Sequence, residues 1–255
     1  MSIHNGHRQR LKDRFLREGL DSFEEHNVLE LMLFYCIPRK DTNPIAHELL
    51  NRFGSLAKVF DAPVEELVKV PGLGMNAALF LSMQTALTRR YLMSKEQDIE
   101  ILMTIEDCGR YLIPRFFGRP VETVFLLCLD AKCKVLSCKE VGEGSVNYTH
   151  VPIQRIVKTA LSANATTVIL AHNHPSGMAI PSVEDEQTTY SVAKALAAVE
   201  ITLVDHLIIS DGDFVSLAQS GKYNPNLYPN LNLNPNPLFA QRQRLPLCRL
   251  PQSCH

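Results

Sequence analysis

Residues 166–185 read TTVILAHNHPSGMAIPSVED, and the fold turns on this stretch. The run 166–171 is apolar and β-branched, the composition of a buried strand. His172 and His174 follow it two positions apart. In extended geometry they project to the same side, so two imidazoles can reach one ion. Pro175, Gly177 and Pro181 then enforce a loop, and Ser182-x-x-Asp185 has the spacing of a helix cap. Asp185 falls in the first helical turn, where the dipole favours a carboxylate. Two histidines and one carboxylate around one ion leave a fourth position open, the arrangement of a catalytic zinc site. Taken alone, Ser182-x-x-Asp185 reads first as a helix cap, with no ligand required.

Working outward, Thr123–Leu129 is a continuous run of strand formers, with Lys134–Cys138 as a hairpin partner across a turn at Asp130–Cys133. Pro152 opens a helix with Ile153, Ile156, Val157, Ala160 and Leu161 on one face. The helix after Pro181-Ser182 carries Tyr190, Ala193, Leu196 and Val199 on one stripe. Ile201–Ile209 is a further strand, Asp211-Gly212 a hairpin turn, and Phe214–Leu217 the return strand. Strands mixed with helices in this order predict an α/β or α+β domain over residues 100–222.

Residues 1–95 show no sustained period-two pattern and read as a row of short helices. Ser22 with Glu25 has capping-box spacing before Val28–Ile37, Pro44 opens a helix and Gly54 closes it, and Ser55 and Asp61 stand as N-caps. In the stretch Leu67 to Ala78, Pro71 and Gly72 stop one helix and Gly74 frees the backbone before the next. The pattern resembles a helix-hairpin-helix, whose Gly-x-Gly turn offers N–H groups to a DNA phosphate; the resemblance makes Lys69, Gly72 and Gly74 the contact candidates. A turn between two helices with no ligand is the plainer reading. Arg8, Arg10, Lys12, Arg14 and Arg17 form a second basic cluster, diluted by Asp13 and Glu18.

The motif His-x-His-Pro-x6-Ser-x-x-Asp resembles the JAMM/MPN metallopeptidase signature. Together with HNHPSG, the strand Asp205-His206-Leu207-Ile208-Ile209 and the preceding hairpin, the pattern over residues 5–222 resembles the bacterial RadC family. That likeness implies an MPN-like mixed sheet with flanking helices. It also implies Zn2+ held by His172, His174 and Asp185, with Ser182 bonding the substrate oxygen. The signature needs an upstream glutamate, and Glu122, just before the first strand, is the match chosen over Glu140 and Glu143. The implied chemistry is hydrolysis of a peptide or isopeptide bond, with Glu122 as general base and the Ser182 hydroxyl helping to stabilise an oxyanion. Asp205 and His206 are read as supporting or structural residues. Deubiquitinating members usually carry Ser or Thr between the histidines, and here the residue is Asn173, which weakens ubiquitin as the substrate. The family's traditional label is DNA repair. A DNA-binding accessory protein with a non-catalytic metal domain is therefore the rival reading, and a nuclease a weaker one, since only Asp185 supplies a carboxylate within the cluster.

The whole chain bears on partners and compartment. It has 255 residues, 26 Lys and Arg against 27 Asp and Glu, and 45% hydrophobic residues, so it can bury a core and is not uniformly cationic. Residues 1–95 carry net +2, residues 96–222 net −6 and residues 223–255 net +3. The longest apolar runs fall far below the ~20 residues of a membrane span. Seven scattered cysteines without a Cys-x-x-Cys suggest reduced thiols in a cytoplasm. Residues 223–255, with six Asn, six Pro and no acid, predict a tail without its own fold.

Overall fold

The computed structural model describes residues 3–95, 100–144, 153–175, 177–210 and 212–227. The chain divides into two compact units, Met1–Arg90 and Tyr91–His255. Pro152, Ser176, Asp211 and the tail beyond residue 227 lie outside the described residues.

The first unit is helical: α1 (Ile3–Glu18), α2 (Glu25–Cys36), α3 (Asn43–Phe53), α4 (Leu56–Phe60), α5 (Val64–Leu67) and α6 (Met75–Lys95), the last running past the division. Its core gathers Leu29, Leu33, Ala46, Leu49, Val59, Leu67, Ala78 and Leu81. Each large side chain there contributes roughly 1.5–3 kcal/mol by leaving water. Gly54 closes α3 in the left-handed region at φ +93°, and Ser55 caps α4 by accepting from the Lys58 amide. Two expected caps are not formed. Ser22 donates to Glu18 and accepts from Arg14, and Glu24 takes the N-cap of α2. Asp61 ends α4 rather than starting α5, because Pro63 supplies the extended residue that the next turn needs.

The second unit is a five-stranded mixed sheet between helical layers. Its elements are α7 (Ile105–Phe116), β1 (Thr123–Leu129), β2 (Val135–Glu143), α8 (Ile153–Ser162), β3 (Thr167–Asn173), α9 (Val183–Ala197), β4 (Thr202–Ser210) and β5 (Asp213–Ser216), with strand order β2-β1-β3-β4-β5. β1 runs antiparallel to β2 and β3, and β3 runs parallel to β4 across α9. One core lies against α8 and α9, the other against α7. Both faces are covered, so β1, β3 and β4 are buried throughout and read as unbroken apolar runs.

Four features depart from the expectations. α7, which the strand-centred reading passed over, starts on a capping box between Thr104 and Asp107. β2 extends five residues past Cys138. On α8, only Ile156 and Ala160 are buried, while Ile153 and Leu161 remain exposed. The first residues of the expected tail pack onto the domain. Tyr223 is buried with its hydroxyl donating to the Leu203 carbonyl, and Pro225–Leu227 form a 3-10 turn.

Candidate metal centre

The antiparallel register places the site. Val124 faces His172 and Phe125 faces Ala171. Continuing that register by two positions puts Glu122 opposite His174. Glu122, His172 and His174 offer ligand atoms that all lie within 4.8 Å of one another.

The loop after β3 returns the chain so that α9 starts beside this pair. Ser182 is the N-cap: its hydroxyl accepts from the Asp185 amide at 3.0 Å and donates to Asp185 Oδ2 at 2.8 Å, while its amide also donates to Oδ2 at 2.8 Å. Two donations thus fix Oδ2. The other oxygen, Oδ1, is buried, finds no hydrogen-bond partner among the described residues, and lies 3.3 Å from His172 Nε2. Oδ2 lies 3.7 Å from His174 Nε2. A buried carboxylate oxygen without a donor is costly unless a cation compensates it.

The imidazoles bring their Nε2 atoms to the same place. His174 Nδ1 lies 2.9 Å from the Met178 carbonyl, which can only accept, so the proton is on Nδ1 and Nε2 is bare. The Nε2 atoms of His172 and His174 are 2.9 Å apart. Burial pushes the His172 imidazole down to about 3, with His174 adding to the fall, so it is neutral and ligand-competent at neutral pH. His206 is also pushed well below its ordinary value, first by burial and then by His172, with Asp185 acting in the opposite direction. The donor set of imidazole nitrogens and carboxylate oxygens is compatible with a bound metal ion.

Over residues 102–222 the sequence matches the family described as a RadC-like JAB domain. A UPF0758 protein of Fusobacterium nucleatum subsp. nucleatum is 35% identical, the match covering 85% of this chain and 96% of that protein. A UPF0758 protein of Nitrosococcus oceani is 34% identical, covering 84% and 95%. The chain belongs to the RadC family. Its second unit therefore carries a JAB/MPN-like fold with a possible metal site in it.

Asn173, the RadC-family residue between the histidines, faces away from them and holds the strand that brings Glu122. Its Oδ1 accepts from the Thr123 amide at 2.8 Å, and its Nδ2 donates to the carbonyls of Val121 at 3.2 Å and Arg119 at 3.4 Å. These bonds grip the chain on both sides of Glu122. Asp205 and His206 part company by strand alternation. The His206 ring meets His172, Nε2 to Nδ1 at 2.8 Å. The Asp205 carboxylate accepts from the Ser216 hydroxyl, the His206 amide and the Ala218 amide, tying β5 and the segment after it to β4. Thr189, one helical turn after Asp185, contacts His206 and was not singled out from the sequence. The i, i+4 spacing to Asp185 was the available signal.

In the first unit, Gly72 sits at φ +87°, and a Cβ there would come within 3.1 Å of Ile45 Cδ1, so this position demands glycine. The Gly74 carbonyl accepts from the amides of Ala77 and Ala78 and so begins α6. Lys69 is ion-paired with Glu66 at 2.5 Å, and Arg52 reaches the same carboxylate at 2.9 Å. Among the described residues, no helix is long and apolar enough to cross a membrane.

Proposed function

We propose that the second unit is a zinc-dependent hydrolase of the JAMM type acting on a peptide or isopeptide bond. The observation that carries this reading is the convergence of the two Nε2 atoms, 2.9 Å apart, with the donor-free Asp185 Oδ1. His172, His174 and Asp185 would hold the ion. Glu122 is close enough to be a fourth candidate, but it is only half-buried, whereas Asp185 Oδ1 is wholly desolvated and in greater need of a cation. Once bound, a divalent cation supplies Lewis acidity, making water acidic enough to react near neutral pH and polarising a carbonyl.

The residues of the chain do the rest. Glu122, on the rim, accepts the proton of the attacking water and returns it to the leaving amine. The Ser182 hydroxyl exchanges its bond with Asp185 Oδ2 for one with the developing oxyanion, and the N-terminus of α9 favours negative charge at that point. His172 stays neutral because burial disfavours its charged form.

Among the described residues no cysteine forms a disulfide, which supports work in a reducing compartment such as the cytoplasm. DNA association through the turn before α6 is a secondary proposal. It rests on an exposed glycine-bounded turn at the start of a 21-residue helix and is opposed by the pairing of Lys69 with Glu66. A salt-sensitive DNA affinity that is lost in Lys69→Ala would support it.

Metal analysis tests the main reading. About one zinc per chain is expected, lost in the His172→Ala/His174→Ala double variant and in Asp185→Asn, and kept in Glu122→Gln. A zinc content below ~0.2 per chain, unchanged by the double variant, would remove the enzyme reading.

A further inference from the structure

We propose that Thr189 and His206 form a tautomer lock, a hydrogen-bonded chain that fixes the bare nitrogen of His172 toward the metal. The inference rests on the metal reading above and goes beyond it, because neither residue is a ligand.

The chain has a definite polarity, set at its far end. The Thr189 hydroxyl lies 2.6 Å from the Asp185 main-chain carbonyl. A carbonyl only accepts, so the single hydroxyl proton is spent there. The same hydroxyl oxygen lies 2.6 Å from His206 Nδ1 and must therefore accept from it. His206 is then the Nδ1–H tautomer, and its Nε2 is bare. His206 Nε2 lies 2.8 Å from His172 Nδ1, so His172 must donate. His172 is left with its lone pair on Nε2, 2.9 Å from the bare His174 Nε2 and 3.3 Å from Asp185 Oδ1, a convergence of lone pairs that a cation between them would reconcile. All three links are buried, so no solvent competes for any of these protons.

The lock also closes a circuit. It begins at the backbone of one proposed ligand, Asp185 on α9, and ends on the ring of another, His172 on β3, with β4 contributing the middle member. The orientation of the imidazole is thereby set by the helix that carries the carboxylate. A partner that fixes the tautomer and ring orientation of a ligating histidine typically alters metal affinity by 10–100-fold when removed.

Thr189→Val removes the hydroxyl and little else. His206 Nδ1–H would then be buried without an acceptor, which is costly. Moving that proton to Nε2 relieves the cost but reverses the chain. His206 then donates to His172 Nδ1, and His172 carries its proton on Nε2, pointed at the metal position.

The test is a zinc competition titration against a chromophoric chelator, using the full chain as wild type, Thr189→Ser, Thr189→Val and His172→Ala. Thr189→Val is expected to bind zinc about 10–100-fold more weakly, and Thr189→Ser to stay within about threefold of wild type because it restores the hydroxyl. Equal affinity in Thr189→Val and wild type would overturn the lock while the metal reading stands. Equal failure of wild type and His172→Ala to bind would take both down. A second measurement needs no variant to fold: imidazole nitrogen chemical shifts of the zinc-loaded wild-type protein. Nδ1–H is expected for both His172 and His206, and an Nε2–H tautomer at His206 would overturn the proposal.

Discussion

Replacing Asn173 with Asp isolates the role of the residue between the two histidines. The change keeps size and shape and preserves an oxygen for the Thr123 amide at 2.8 Å. It converts the Nδ2 donor into an oxygen facing the carbonyls of Val121 and Arg119, at 3.2 and 3.4 Å. Two hydrogen bonds at about 0.5–1.5 kcal/mol each are lost, and at this 5% exposed position a carboxylate oxygen faces the two carbonyl oxygens that the Nδ2 group had donated to. The Arg119 guanidinium lies near enough to Thr123 to offset part of that charge. The expected net loss is about 2–4 kcal/mol of stability for the second unit, measured as a lower urea midpoint with unchanged slope. For a unit of this size, that is roughly 4–16 °C in melting temperature. Amide exchange adds a sharper reading, because the Thr123 amide keeps its acceptor while the grip on residues 119–121 is broken. Protection at Thr123 should outlast protection of its upstream neighbours. A variant within about 0.5 kcal/mol of wild type would refute the claim that this carboxamide holds the Glu122 segment.

Two further outcomes follow from other parts of the second unit. A Cβ on Gly109 of α7 would come within 2.2 Å of Phe214 Cε1, so Gly109→Ala should destabilise by about 1–3 kcal/mol despite the better helix former. In a Phe214→Ala background the same change should instead stabilise by about 0.5–1 kcal/mol, and a thermal double-mutant cycle without that reversal of sign would contradict the packing. After chelator treatment, stability should fall as the pH drops from 7.5 to 5.5. The buried His172 titrates at about 3 against 6.5 in the unfolded chain, so the unfolded state takes up the proton first and stability is full only above 6.5. One unit below 6.5 the loss is about 1.4 kcal/mol for His172, with His206 adding in the same direction, and a flat urea midpoint across this range would count against their burial as neutral rings.

How much of this was legible from residues depends on whether the signal was local. The strands from Thr123 and Thr167, the loop and the helix beginning after Ser182 were readable because period, proline and capping spacing lie within a few residues of one another. The expected cap at Ser22 shows how such spacing can mislead. The pattern was present, but Arg14 and Glu18 one helix earlier claimed the hydroxyl. α7 was missed for the opposite reason. Thr104 and Asp107 mark its start, but Gly109 and Pro114 argue against a helix until Phe214 is seen to require the glycine and Pro114 to fall in the last turn. Glu122 was chosen for its place before a strand. What brings it near His174 is the register of β1 on β3, which no window of sequence contains.

That register also explains why the two residues flanking the histidine motif in function are so unlike each other in visibility. A strand sends alternate side chains to opposite faces, so His172 and His174 meet the helix layer while Asn173 turns to grip the neighbouring strand. One three-residue segment thereby orders two things at once, the lone pairs on one side and the carboxylate-bearing strand end on the other. On the histidine side, the remaining support must come from whatever stands beyond the rings, and β4 running parallel to β3 delivers His206 to that place. The site is thus assembled from pairing geometry as much as from ligand chemistry. A one-residue shift of β4 that put Leu207 where His206 stands would leave the His172 proton without an acceptor.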